Sequence, residues 1–186
     1  MKRVFIVGFM AFFAACNNSG DKAKVESMSA AKDSSTTTMA EINSPYPVGD
    51  SSKFEMGNPK NAETILNLWK DWDNGNLMNS KDRFADSVTL HFANGATIST
   101  SRDSALAMAQ AERNKLASSV STVDAVTSLK SSDKGENWAL IWGKEVDTDK
   151  KGKVDSSYLQ ETWRLNKDGK ADLVYQFRAA AAPPKK

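Results

Sequence analysis

Apolar and polar residues change rhythm along this chain, and each rhythm predicts an element. In "NPKNAETILNLWKDWDNG", Asn58 to Gly75, apolar residues fall at Ala62, Ile65, Leu66, Trp69 and Trp72. Spacings of three and four put them on one face of an amphipathic helix. Asn58 stands where an N-cap belongs, Pro59 at the first helical position and Gly75 where a helix stops. "NLMNSKDRFAD" predicts a short helical piece that buries Leu77 and Phe84. Alternation follows in "SVTLHFANG", with Val88, Leu90 and Phe92 on one face and Thr89 and His91 on the other. Asn94-Gly95 predicts a hairpin turn into a short strand, "ATIST". "SRDSALAMAQAERNKLASS" returns to helical spacing, capped by Ser101 or Asp103, with Leu106, Ala109, Arg113 and Leu116 along one side.

Long strands are predicted over 119–131, 136–149, 153–166 and 170–179, joined by the Gly-bearing connections "DKG", "DKKG" and "KDG". Helices come first and strands last, which is the order of an α+β domain with an antiparallel sheet. The folded domain is expected over 58–179. The stretch 16–57 is rich in Ser, Thr, Lys, Asp and Ala without a sustained period, and reads as a flexible tether. Residues 180–186 read as a disordered tail.

Charge is balanced once the extreme N-terminus is set aside. The chain has 25 Lys and Arg against 23 Asp and Glu, and Lys2 and Arg3 account for the difference. Without a basic stripe there is no electrostatic reason to expect nucleic acid as a partner. Those same cations precede the apolar run "VFIVGFMAFFAA", which reads as an export signal over 1–15. It is too short for a membrane span of roughly 20 residues. The only cysteine follows at once, so no internal disulfide is possible. "FAAC", Phe13 to Cys16, resembles a bacterial lipobox, with Phe13 in place of the usual Leu. The resemblance implies lipidation of Cys16 and a membrane as partner through that anchor. Stable anchoring takes more than one acyl chain. Asn17 is not the Asp that holds such proteins at the inner membrane, so a cell-envelope address at the outer membrane is expected.

The order of elements, together with "LWKDWDNGNL", "FADSVTL" and "ETWRLNKDGKADLVYQF", resembles the nuclear transport factor 2-like superfamily and its SnoaL-like branch. The resemblance covers 58–179 and implies a curved sheet wrapped as a cone around N-terminal helices, open at one end as a pocket. Such folds carry isomerases, dehydratases, cyclases and epoxide hydrolases, beside members that only bind or dimerise. Aligning "FADSVTLHF" on the ketosteroid-isomerase-like pattern places Phe92 at the position of the base, where a phenyl ring takes no proton. Strand alternation turns His91 to the other face. The same resemblance places Glu161 of "QETWRL" where an acid donates to a developing oxyanion. Flanking Leu159, Trp163 and Leu165 would desolvate it and raise its pKa; the other reading makes that stripe core and places Glu161 near the open rim, paired with an Arg or Lys. The base that would complete that mechanism is not identified by the resemblance; Asp124 and His91 are candidates.

The tryptophans admit two readings, as core or as an aromatic pocket lining made of Trp69, Phe92, Trp138, Trp142, Glu161 and Trp163. Trp138 and Trp142 share a strand face with Leu140, and that face is taken as the inner one. "KEVDTDKKGK" reads as a solvated, charged hairpin tip without the spacing of a calcium loop. One histidine and a lipidated cysteine leave no metal site, and no phosphate loop or cofactor is expected. The expectation is an envelope lipoprotein that binds a small apolar ligand or a protein partner without catalysis. An enzyme using Glu161 as acid is one alternative. A homodimer pairing through Tyr158, Gln160, Thr162 and Arg164 is the other.

Overall fold

The computed structural model describes residues 42–181, so the signal peptide and Cys16 lie outside the described residues, as does most of the tail. Helix α1 (Pro59–Asn74) starts where its caps predict: the Asn58 side chain accepts from the Lys60 N–H at 3.0 Å. Gly75 ends the helix at φ 73°, a left-handed conformation that costs glycine little. The buried stripe runs through Asn61, Ile65, Leu68 and Trp69, so Leu68 takes the inward position expected of Leu66. A 3₁₀ helix (Leu77–Arg83) follows and buries Leu77. Helix α2 (Arg102–Arg113) is capped by Ser101, whose hydroxyl accepts from the Ser104 N–H.

Among the described residues seven strands form one curved, unclosed sheet: β1 (Phe54–Met56), β2 (Phe84–His91), β3 (Thr97–Ser101), β4 (Leu116–Ser131), β5 (Asn137–Asp149), β6 (Val154–Leu165) and β7 (Ala171–Ala180). Their order is β1-β4-β5-β6-β7-β2-β3. Every pairing is antiparallel except β2 with β7, which is parallel, so the sheet is mixed rather than purely antiparallel. The long strands match their predicted spans to within three residues. Strand β1 corrects the tether boundary: Phe54 pairs with Ser131 and Met56 with Leu129, so folded chain begins before Asn58. Three edge residues inside a polar segment carry no pattern of their own, and β4 supplies their hydrogen bonds.

Register shifts interrupt β4 against β5 between Val123 and Ala125, and β6 against β7 beside Leu165. Such bulges bend a strand and strengthen its twist, which lets strands this long curl. α1 packs on β4 and β5, and α2 on β2, β3 and the 3₁₀ helix. Between helices and sheet lies a core of Ile65, Leu106, Val88, Ile141 and Leu165. Arg113 ties the helices together: its buried guanidinium donates to the carbonyls of Trp72 (2.7 Å) and Asp73 (2.9 Å) at the end of α1. It thereby adds a donor to carbonyls of the last turn of α1, the Trp72 carbonyl also accepting from the Gly75 N–H.

Candidate functional site

Strand alternation, read from burial, selects the inner wall of the cone. On β5 the inward residues are Ala139, Ile141, Gly143, Glu145 and Asp147; on β6 they are Ser157, Leu159, Glu161, Trp163 and Leu165. Pairing sets Ile141 opposite Glu161 and Glu145 opposite Ser157, while Glu161 faces Gln176 and Leu159 faces Arg178. With α1 and α2 these strands enclose a cavity of about 740 Å³. Most of its lining is apolar, including Leu68, Leu77, Phe84, Leu90, Leu106 and Val174. Phe92 and Ile98 line it from the β2–β3 hairpin, and Met108, Glu112 and Lys115 from α2 and the residues after it.

Glu161 is buried and fully engaged. Its Oε2 accepts from Trp69 Nε1 at 2.7 Å and from Trp163 Nε1 at 2.9 Å, and its Oε1 accepts from Gln176 Nε2 at 2.9 Å. Trp163 is held in turn by an edge-on contact with Phe84, ring centres 6.0 Å apart. Gly143 lets Trp69 approach: a Cβ there would meet Trp69 Cζ3 at 2.9 Å and run into the Thr122 carbonyl. Three N–H donors on one carboxylate make a rigid clamp rather than a free acid reaching into the cavity.

A second polar group lies on the same wall. Ser119 donates to Asp147 Oδ1 at 2.6 Å, with Glu145 Oε1 at 3.3 Å, and accepts from Trp72 Nε1 at 3.0 Å. Arg178 spans both acids, Nη1 to Glu145 Oε2 at 3.3 Å and Nη2 to Asp147 Oδ2 at 3.4 Å, while its Nε donates to Ser157. Burial pushes the Glu145 carboxyl up to about 7, the Asp147 charge adds to that, and Arg178 and the neighbouring hydrogen bonds oppose it. A carboxyl poised near neutrality inside a cavity is a feature of functional sites, though structural networks produce it as well.

Several expected site residues stand elsewhere. Trp138 and Trp142 face away from the cavity: Trp142 is exposed and lines an outer groove of about 290 Å³ with Tyr158, Phe177 and Asp124. The inward parity on β5 is the opposite of the one the tryptophans suggested, so neither lines the pocket. Asp124 sits at the β4 bulge, exposed on that outer face, and cannot act as base for Glu161. His91 borders the cavity, but its ring stacks on Tyr175 at 4.5 Å and 7° and its Nδ1 pairs with Thr97 Oγ1 at 2.9 Å. Trp69, Phe92, Glu161 and Trp163 do line the cavity. The charged segment read as a solvated tip hides Glu145 and Asp147, both less than a tenth exposed. Continuing the Ala139, Ile141, Gly143 parity would have found them. Among the described residues no group of acidic, His or Cys side chains is placed to hold a metal ion, and no helix is long and apolar enough to cross a membrane.

Cone, cavity and helix order define a protein of the nuclear transport factor 2-like fold. The chain is similar to AusH from Aspergillus nidulans at 13% identity, covering 69% of this chain and 89% of that one with a TM-score of 0.54. It is also similar to SalBIII, an epoxide hydrolase/cyclase-like enzyme of pyran ring formation in the polyether salinomycin. That match has 11% identity, 64% and 91% coverage and a TM-score of 0.54. An NTF2-like protein of unknown function from Exiguobacterium sp. 255-15 matches at 14% identity, 62% and 98% coverage and a TM-score of 0.51. No family model matches the chain, and no curated protein does. At these identities the likeness establishes the fold, and the chemistry has to be argued from the site.

Proposed function

We propose that this protein is a lipid-anchored envelope protein whose cone binds one small, largely apolar molecule. The cavity carries the reading. Its volume of about 740 Å³ falls within the range of small-molecule pockets, and its lining is mainly aliphatic and aromatic with a few convergent polar groups. The anchor rests on the lipobox at Cys16 and the apolar run before it. Phe92 at the rim offers no base, and the oxygens of Glu161 are already hydrogen-bonded, which favours binding over catalysis by that acid. The test is titration with N-phenyl-1-naphthylamine, a neutral apolar fluorophore. Binding should be saturable and one to one, and Ala109→Trp, which fills the cavity from α2, should abolish it. Equal binding by that variant would refute the reading.

Two observations favour further readings. The buried pair of Glu145 and Asp147, with Glu145 titrating near neutrality, suits acid–base chemistry on a bound molecule. In that reading Glu145→Gln loses turnover yet keeps binding, and unchanged turnover would dismiss it. Exposed Trp142, Tyr158 and Phe177 around the outer groove favour pairing of two copies through the outer sheet face. A monomer by sedimentation at high micromolar concentration would dismiss that.

A further inference from the structure

We infer that the molecule held in the cone is an organic amine, with an apolar body and one positively charged head. The inference rests on the cavity-binding reading above and on how the donors and acceptors of the wall are used. Nearly every polar hydrogen facing the cavity is already spent inside the protein. Trp69 and Trp163 donate to Glu161, as does Gln176. Trp72 donates to Ser119, Ser119 to Asp147, Ser121 to Asp73 and Ser80 to Asp71. Arg178 divides its guanidinium among Glu145, Asp147 and Ser157. A ligand that mainly accepts hydrogen bonds finds few free donors on this wall, the second N–H of Gln176 and the remaining N–H groups of Arg178 being the ones left.

Acceptor capacity remains. A carboxylate offers about four lone-pair positions. The oxygens of Glu145 and Asp147 are held by Ser119 and Arg178, with the Trp72 indole also close to Glu145, which leaves lone-pair positions on both carboxyl groups. Charge points the same way. Three acids line the interior, Glu145, Asp147 and Glu161, against the one guanidinium of Arg178, while Glu112 and Lys115 pair with each other at the rim. Arg178 is shared between Glu145 and Asp147, so one guanidinium serves two carboxyl groups, and a ligand cation would add a second counter-charge beside them. A ligand carboxylate would add like charge. With the indole N–H groups of Trp69, Trp72 and Trp163 engaged, these side chains can offer a ligand only their ring carbons, surfaces that suit both an apolar body and an adjoining cation.

The experiment titrates the full chain at neutral pH with three probes that share one body: 1-naphthylmethylamine, 1-naphthalenemethanol and 1-naphthoic acid. The amine should bind at least about tenfold tighter than the alcohol, with the acid weakest. The double variant Glu145→Gln, Asp147→Asn should bring the amine down to the alcohol and leave the alcohol unchanged; Asp147→Asn alone serves if the double variant does not fold. The ranking on the unaltered chain is decisive without either. An alcohol or acid that binds as tightly as the amine overturns the inference and leaves the apolar-cavity reading standing. Binding by none of the three overturns both.

Discussion

Trp69 and Glu161 meet at 2.7 Å inside the cone, the indole N–H of α1 donating to a carboxylate of β6. The same oxygen receives Trp163, and Gln176 on β7 holds the other, so a helix and two strands are joined at one buried charge. Glu161→Leu removes both acceptor oxygens and leaves the buried N–H groups of Trp69 and Trp163 without a partner. The expected cost is about 1–3 kcal/mol, the usual penalty for a buried polar group left unsatisfied. Urea unfolding should show a lower midpoint at unchanged slope. A midpoint equal to that of the unaltered chain would mean that the clamp contributes nothing.

Gly143 governs how closely Trp69 can lie on β5. An added methyl group would stand 2.9 Å from the Trp69 ring and collide with the Thr122 carbonyl, which belongs to the paired strand and cannot swing aside. Gly143→Ala is therefore expected to destabilise by about 1–3 kcal/mol, as overpacking does. It should also shift tryptophan fluorescence as Trp69 leaves Glu161. By contrast, Gly152→Ala at the exposed β5–β6 turn has open space around it and fails through its positive φ alone. It should leave the fluorescence unmoved.

The elements were legible in the sequence because each carries its own period and its own stop signals. Asn58, Pro59 and Gly75 frame α1 as their chemistry requires, and the glycine connections frame the long strands. What was lost is the face of β5. A strand has a period of two, so choosing the wrong inward anchor inverts every residue on it. Trp138 and Trp142 looked like anchors because large apolar side chains are usually inside. Here Trp138 is buried on the outer side and Trp142 is exposed. The inversion concealed Glu145 and Asp147, which local charge then assigned to solvent. Their burial depends on Trp72 and Ser119, brought over them by α1 and β4, and no local pattern encodes that contact. On β6, Leu159, Glu161 and Trp163 gave the correct face, since apolar neighbours there really are inward.

Cys16→Ser tests the anchor independently of the cone. If the thiol carries diacylglycerol, the variant should leave the membrane fraction or persist as uncleaved precursor, and mass spectrometry of the unaltered chain should show a lipid adduct on Cys16. Among the described residues no helix is long and apolar enough to cross a membrane. Unchanged partitioning of the serine variant would rule out lipidation as the anchor.

Glu145 gives the fold a pH dependence of definite sign. Its carboxyl sits at about 7 when folded against an ordinary value of 4.5, chiefly because burial penalises the charged form. The folded state therefore holds the proton more tightly than the unfolded chain. Below pH 4.5 both are protonated and this group adds no slope; between 4.5 and about 7 stability falls as pH rises, and above that the loss is complete. The size of the effect is about 3 kcal/mol, taking each pKa unit as about 1.4 kcal/mol. Glu145→Gln keeps a neutral side chain of the same shape beside Ser119 and Arg178 at every pH. Urea midpoints measured at pH 5 and pH 8 should fall for the unaltered chain and stay nearly level for the variant, which becomes the more stable of the two at pH 8. Parallel curves for the two proteins would show that Glu145 ionises in the folded state as easily as in the unfolded one.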